Sequence, residues 1–225
     1  MHFLGSEFYA NSINVPFNNS FYPEAIAMRF SFISIVVLLI SFSLLSAQSI
    51  LHTEIYENGN IKSISYYQKV GNAIKKIKYE EYFENGNKFI SGSFKNGKRS
   101  GVWIEWNKKG EKVSKGKYKN GKRDGFWEGW HSNGLIQGEV TWLNGKENGL
   151  WVLWYENGKK MREIHWENGK RNGKCLEWHE NGVKKLEGFW INGLKDGQWK
   201  YWYDSGKILK EEMHENGEMK IEKWY

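Results

Sequence analysis

The chain has 225 residues, a formal charge of +7 and only two prolines. Its hydrophobic content of 40% is ordinary for a folded protein and argues against a disordered chain. The single cysteine, Cys175, excludes an intramolecular disulfide framework, so stability must come from packing.

The first 47 residues differ from the rest of the chain. Residues 30–47 form an uncharged apolar run that ends in small residues, and Met28-Arg29 stands directly before it. Residues 28–47 therefore have the parts of a secretory signal peptide, with cleavage expected after Ala47. The alternative is that this run stays in place as an N-terminal membrane anchor. Residues 1–27 contain no Lys or Arg and are interpreted as a mis-assigned N-terminal extension. We expect an exported protein that is periplasmic, in the outer envelope or secreted.

The remainder of the chain repeats with a period of 24 residues. Turn glycines follow one another in alternating steps of 11 and 13 residues from Gly86 to Gly217. We count a stretched first unit over residues 52–78 and six regular units over residues 79–225. One aromatic column consists of Trp106, Trp130, Trp154, Trp178 and Trp202, and a second consists of Tyr79, Trp103, Trp127, Trp151, Cys175 and Trp199.

Asn-Gly pairs between the repeated segments predict β-hairpins, because both residues tolerate the positive φ of a type I′ turn. The segments themselves are rich in aromatic and β-branched residues and lack a helical period. We predict an all-β fold, an elongated antiparallel β-hairpin repeat that forms a solenoid or twisted ribbon. Stacked neighbouring units would bury one another's apolar faces.

The hairpin around Lys109-Gly110 illustrates the expected register. A two-residue loop there would pair Trp103 with Gly116 and Trp106 with Val113. The two tryptophans are three residues apart, and odd spacing points side chains to opposite faces of a regular strand. Either both faces carry an aromatic row, or a β-bulge re-aims one of the rings.

The segments WYENGKKMREIHWENGKRNGKC (154–175) and FENGNKFISGSFKNGKRSGVW (83–103) resemble the bacterial variant of the MORN repeat. That variant is collected under the YwqK-like antitoxin family, and the resemblance covers about residues 52–225. It implies an all-β repeat rod that binds a partner and does no chemistry. The family name also implies a toxin partner, which is usually intracellular.

The sequence contains no pattern that is typical of catalysis, of a cofactor or of a metal site. His131 and His179 share a repeat column with Tyr155 and are interpreted as turn-flanking residues of the hairpins. Cys175 occupies a tryptophan column and is interpreted as a small buried substitute. Zinc sites need three or four converging ligands, and the histidine spacing does not supply them. We predict a protein that is not an enzyme and that uses no cofactor or metal.

Two surfaces are candidates for binding a partner. The first is a basic edge after one set of turns, and its residues are Lys98, Arg99, Lys122, Arg123, Lys170 and Arg171. It suits anionic lipid headgroups or an acidic protein, or it is only a solvated edge that discourages aggregation. The second is the column that contains Trp106, Trp130, Trp154, Trp178 and Trp202. These rings suit protein side chains or sugar rings, or they form the core of the ribbon.

We therefore expect a non-catalytic repeat scaffold in the cell envelope or outside the cell, with a protein partner or the membrane surface as its target. The alternative is an antitoxin-like protein that neutralises a dedicated toxin. A protein partner ranks first, an anionic membrane surface and a carbohydrate follow, and export disfavours nucleic acid.

Overall fold

A computed structural model describes residues 49–225, so the predicted signal segment 28–47 and the extension before it lie outside the described residues. The described residues form sixteen β-strands in one antiparallel sheet, which confirms the all-β prediction. No helix in residues 49–225 has the length and apolar character needed to cross a membrane.

The strands form a meander in which each strand pairs with its neighbours in the sequence. The two-residue strand β9 pairs with β8, and β8 also pairs with β10. Adjacent strands lie about 4.8 Å apart, so each two-stranded unit adds about 10 Å to the sheet. The strand bounds are β1 Ser49–Ile55, β2 Ile61–Val70, β3 Ala73–Tyr82, β4 Lys88–Lys95, β5 Lys98–Trp106, β6 Lys112–Lys119, β7 Lys122–Trp130, β8 Ile136–Leu143, β9 Lys146–Glu147, β10 Gly149–Trp154, β11 Lys160–Glu167, β12 Lys170–Trp178, β13 Lys184–Ile191, β14 Leu194–Trp202, β15 Ile208–Glu215 and β16 Glu218–Trp224.

The turns at one edge of the sheet are two-residue Asn-Gly loops. Six asparagines there have φ between 50° and 52°, and each is followed by a glycine that also has positive φ. They are Asn96, Asn120, Asn144, Asn168, Asn192 and Asn216. The flanking residues pair directly, as Lys119 does with Lys122. This is the predicted type I′ geometry, and we call this side of the sheet the Asn-Gly edge.

The turns at the opposite edge are longer than predicted. In the β5–β6 hairpin the amide of Asn107 donates to the carbonyl oxygen of Glu111 at 2.9 Å. The amide of Gly110 donates to the carbonyl oxygen of Asn107, also at 2.9 Å. Gly110 has a φ of +85°, but Lys109 before it does not have positive φ. The loop is therefore not a two-residue type I′ turn, and we call this side the bulged edge.

The longer loop changes the register next to it. Trp103 pairs with Gly116 as predicted, but Trp106 pairs with Lys112 and not with Val113. A β-bulge at the start of β6, where Val113 has no partner in the register, absorbs the additional residue of the loop. The predicted Trp106–Val113 pair was wrong because it assumed the same short turn at both edges.

One face of the sheet carries a ladder of aromatic rings. The Trp103 ring centroid lies 5.3 Å from that of Phe94 and 6.0 Å from that of Tyr118, and Tyr118 lies 5.1 Å from Trp127. Most of these pairs meet edge to face, an arrangement that aromatic quadrupoles favour. The ladder continues through Trp142, Trp151 and Trp166 and then through Trp190, Trp199 and His214. We call this the ladder face, and its most buried ring, Trp199, is only 1% exposed.

Strand glycines make room for the buried tryptophans of the ladder face. A Cβ added at Gly92 would lie 2.1 Å from the ring of Trp103, and one added at Gly188 would lie 2.2 Å from Trp199. The position equivalent to Trp103 three units later is Cys175, and the position equivalent to Gly92 is Ile164. Both of these residues are buried, so the smaller residue at one position is matched by a larger one at the other. Cys175 is thus the small buried substitute that was predicted, and burial raises the pKa of its thiol.

Candidate partner-binding surface

The tryptophan column predicted to bind a partner lies on the face opposite the ladder. Trp106 and Trp103 point to opposite sides of β5, so both faces carry an aromatic row and a bulge is present as well. We call the second face the open face. All five tryptophans of its column are half-buried, so they are neither a closed core nor bare rings. They are Trp106, Trp130, Trp154, Trp178 and Trp202.

Lysine side chains cover part of this tryptophan row. The Lys88 ammonium lies 5.7 Å from the ring centroid of Trp106, and the Lys160 ammonium lies 5.5 Å from that of Trp178. Lys160 also forms an ion pair with Glu163, which places both side chains on the open face. Cation–π contacts of this kind are weak at exposed sites, so a partner can displace the lysines at low cost.

A row of charged side chains runs through the middle of the open face. Lys115 pairs with Glu128 at 3.7 Å, and Lys200 pairs with Glu211 at 3.1 Å. In the β7–β8 hairpin, however, Glu128 stands directly opposite Glu139. Like charges in facing positions destabilise a sheet, so this part of the open face favours a cationic group from outside.

A stripe of exposed apolar side chains lies on the open face towards the Asn-Gly edge. Val102, Phe126 and Leu150 are 50%, 52% and 42% exposed and occupy the same position in three consecutive units. Each precedes a tryptophan of the ladder in sequence, so it points to the opposite face. Phe189 and Met213 continue the stripe in later units. None of these residues was predicted from the sequence, although Val102, Phe126 and Leu150 share one repeat column.

The predicted basic residues divide into two groups. Lys98, Lys122 and Lys170 are exposed at the Asn-Gly edge. The three arginines lie over rings of the ladder face instead. Their guanidinium carbons are 4.1 Å (Arg99 to Trp103), 4.4 Å (Arg123 to Trp127) and 4.8 Å (Arg171 to Trp190) from the ring centroids. The lysines therefore form an exposed edge, while the arginines, of which Arg123 is also exposed, contact rings of the ladder face through cation–π interactions.

The histidines next to the bulged-edge turns tie neighbouring units together. His131 Nε2 lies 2.8 Å from the carbonyl oxygen of Trp154, and His179 Nε2 lies 2.9 Å from that of Trp202. The hydroxyl of Tyr155 donates to the carbonyl oxygen of Trp178 at 2.7 Å in the same way. Their predicted role as turn-flanking residues is confirmed.

Glu80 is a buried carboxylate on the open face. Burial by itself would raise its pKa, but hydrogen bonds from Lys88, Tyr66, Lys78 and Tyr82 lower the pKa to about 2. The hydroxyls of Tyr66 and Tyr82 donate at 2.9 and 3.0 Å, and Lys88 donates at 2.9 Å. A carboxylate held in the ionised form by this many donors organises the sheet and is poorly suited to proton transfer.

A second buried carboxylate, Glu212, lies on the ladder face near the end of the sheet. Burial would raise its pKa, but hydrogen bonds from Lys210, His214, Tyr201 and Lys195 hold the pKa well below its ordinary value. Its neighbour Glu211 faces the other way and accepts a hydrogen bond from Tyr225 at 2.8 Å. The two acids therefore share no site, as their adjacent positions on one strand predict.

Within residues 49–225, no three His, Cys, Asp or Glu side chains converge to hold a metal ion.

The hairpin unit seen in the sheet matches a known family. A family model described as "MORN repeat variant" matches residues 50–69, 147–168, 171–192 and 195–216. These four segments are similar to MORN repeats. Each matched segment spans two strands and the bulged-edge turn between them, so the matched unit is one hairpin of the sheet. No curated protein matches the chain.

Proposed function

We propose that this MORN-repeat protein is a non-catalytic scaffold that binds a protein partner along its open face. MORN repeats commonly serve as scaffolds that bind proteins or membranes. The observation that carries the proposal is the combination of the half-buried tryptophan row with the exposed stripe of Val102, Phe126 and Leu150. Aromatic and apolar side chains that are surrounded by polar groups are typical of protein interfaces.

The charges on the open face favour a protein over an anionic membrane. Glu128 and Glu139 face each other in the middle of this surface, and their carboxylates repel anionic headgroups. Basic side chains of a protein partner would pair with these carboxylates while its apolar side chains contact the exposed stripe. We therefore expect a partner surface that combines Lys or Arg with large apolar residues.

Site-specific photo-crosslinking tests this proposal. A photoreactive phenylalanine analogue is placed at Phe126 on the open face and, as a control, at Glu54, an exposed ladder-face residue in β1 of the full chain. We expect a discrete crosslinked protein species from position 126 only. The species should be lost when Val102 and Leu150 are both changed to Asp. Equal crosslinking from both positions, or crosslinks that survive the two aspartates, would contradict the proposal.

A second candidate function is binding of an anionic membrane through the Asn-Gly edge. Lys98, Lys122, Lys146 and Lys170 are exposed there, one in each of four consecutive units. Cosedimentation with phosphatidylglycerol-containing vesicles tests this, with phosphatidylcholine vesicles as the control. Binding that disappears on changing the four lysines to Gln and on raising salt supports the edge. Vesicle binding that is unaffected by the substitutions and by salt would contradict binding through the Asn-Gly edge.

We further propose that residues 28–47 direct export, so that the partner is met in the envelope or outside the cell. The apolar run after Met28-Arg29 supports this proposal. Expression in a bacterium, fractionation and mass measurement of the N-terminus test it. A periplasmic species that begins at Gln48 supports export. An uncleaved cytosolic species overturns export and favours the antitoxin-like alternative, in which the open face holds a toxin.

A further inference from the structure

The ladder face has a hollow where two facing positions are both glycine. Gly129 in β7 pairs directly with Gly138 in β8. The same positions one unit earlier are Glu105 and Ser114, whose side chains meet in a hydrogen bond of 3.0 Å. Because both side chains are missing from the glycine pair, a hollow of about 510 Å³ remains open on this face.

The walls of the hollow are mainly apolar. Trp127 and Val140 lie on one side of the glycines, and Leu153 and Met161 lie on the other. A Cβ added at Gly138 would lie 2.9 Å from Cδ2 of Leu153, so the leucine side chain already reaches over part of the floor. A volume in this range is typical of sites that take a small ligand or a large side chain.

Later units show which side chains fit these two positions. The pairs equivalent to Gly129 and Gly138 in the next three units are Leu153 with Arg162, Glu177 with Leu186 and Tyr201 with Lys210. In each pair the chain itself fills this place on the ladder face with one large apolar side chain beside a charged one. The hollow lacks such an occupant, and an apolar side chain from another molecule has the matching shape and chemistry.

The rim of the hollow is acidic on one side. Glu156 and Glu180 reach it from turns of the bulged edge. Both residues are exposed, and neither takes part in an ion pair within residues 49–225. Arg123 lines the other end, where it is held over Trp127. The two carboxylates complement a cation placed beside the apolar side chain on the bulged-edge side.

We propose that this hollow is a second binding site, separate from the open face, for an aromatic or large aliphatic side chain of a protein partner that is flanked by Lys or Arg. The apolar side chain lies on Gly129 and Gly138, and the flanking cations pair with Glu156 and Glu180. The absence of a Cβ at both glycines is what allows this close approach.

Short peptides test the site directly. Acetyl-Lys-Phe-Lys-amide is titrated into the full chain, and binding is followed by saturation-transfer NMR of the side-chain protons of the central residue. Acetyl-Lys-Ala-Lys-amide and acetyl-Glu-Phe-Glu-amide are the matched control peptides. We expect binding of the Lys-Phe-Lys peptide, no transfer to the alanine peptide and at least about tenfold weaker binding of the glutamate peptide. Equal binding of the two phenylalanine peptides would overturn the charge assignment.

A variant whose side chain fills the hollow provides the decisive test of the site. Gly129 does not have positive φ, and a Cβ there would meet no atom closer than 3.7 Å, so Gly129→Leu is compatible with the fold. We expect Gly129→Leu to weaken peptide binding about tenfold or more at unchanged melting temperature. Glu105→Leu, the same change at the equivalent position one unit earlier, should leave binding intact. Binding that survives Gly129→Leu overturns the proposal.

A further variant tests the acidic rim without altering the strands, and two further measurements distinguish a partner side chain from other ligands of the hollow. Glu156→Lys with Glu180→Lys changes only exposed turn residues and should weaken binding of the Lys-Phe-Lys peptide, and full binding by this variant would refute the proposed rim. Transfer to N-acetylglucosamine that is lost in Gly129→Leu, without transfer to the peptide, would assign the hollow to a sugar and overturn the proposal. A dimer in sedimentation analysis that Gly129→Leu converts to a monomer would assign it to a second copy, again against the proposal.

Discussion

The indole of Trp127 lies against the backbone of Gly116, so close that a Cβ at residue 116 would stand 1.9 Å from the ring. On its other side the ring carries the Arg123 guanidinium at 4.4 Å. The core of this sheet is therefore built within a single layer: backbone below the ring, a cation above it and aromatic neighbours beside it. No second layer of strands or helices covers the ladder face within residues 49–225.

This contact predicts a large effect from the smallest possible side chain. Gly116→Ala should destabilise the protein by about 1–3 kcal/mol or more, because the methyl group displaces the buried Trp127 ring. Gly129→Ala is the matched control, since the nearest atoms to its Cβ are 3.7 Å away. It should leave stability unchanged or raise it by about 0.5–1 kcal/mol. Urea unfolding of both variants decides the matter, and equal midpoints would refute the contact.

Cys175 and Ile164 predict a coupled pair of substitutions. Cys175→Trp alone should cost about 1–3 kcal/mol, because Ile164 occupies the space that a glycine leaves at Trp103, Trp127 and Trp199. Adding Ile164→Gly should recover most of that loss, since the pair then matches Trp103 and Gly92. Urea unfolding of the wild type, both single variants and the double variant measures the coupling. Strictly additive effects would show that the two positions do not share one space.

Much of this architecture could be predicted from the sequence. The 24-residue period and the turn glycines fix the meander, and the type I′ turns at Asn120-Gly121 and its equivalents are confirmed. The second turn type was not predicted, because Asn precedes Gly at both edges, as in Asn133-Gly134, and only the hydrogen bonding around the turn distinguishes them. Local residue preferences do not contain that information.

The candidate surfaces were predicted less completely. A repeat column shows that Arg99 and Lys98 recur together, but not that one stacks over Trp103 while the other faces solvent. That difference depends on the direction of each side chain at the start of β5. The hollow at Gly129 and Gly138 depends in the same way on which residues face each other across two strands, and therefore on the bulge that shifts the register.

At the Asn-Gly edge, the loss of stability on substitution should depend on the position in the turn. Asn120 has a φ of 52°, which is unfavourable for residues with an ordinary Cβ. Asn120→Ala should therefore cost about 1 kcal/mol, whereas Asn120→Gly should cost little. Lys109→Ala, at the residue before the turn glycine of the bulged edge, should have almost no effect because Lys109 does not have positive φ. Thermal unfolding of the three variants checks the assignment of the two turns, and a large loss for Lys109→Ala would contradict it.

Glu80 predicts a specific dependence of stability on acid. Its folded pKa of about 2 lies below the unfolded value of about 4.3, so its contribution is complete above pH ~4.3 and is lost as the pH falls towards 2. Because Lys78 and Lys88 are partly exposed, we expect only about 1–2 kcal/mol. Glu80→Gln should thus be less stable than the wild type at neutral pH, with the difference shrinking below pH 4.

Glu84→Gln, which changes an exposed turn residue, is the control for this experiment. Its urea midpoints between pH 7 and pH 2 should follow those of the wild type. A Glu80→Gln profile that runs parallel to the wild type over the whole range would show that the hydrogen bonds to Glu80 do not favour its ionised form.

Apart from the short β9, each strand pairs only with the strands before and after it, so the length of the sheet depends on the number of units. Gain or loss of one 24-residue unit would lengthen or shorten the presented surface by about 10 Å and leave the contacts inside every other unit unchanged. The rows on the open face would stay in phase across the junction, since each unit contributes one residue to each row. The length of the presented surface is thus set by the number of units, and duplication of a short stretch of the gene is enough to change it.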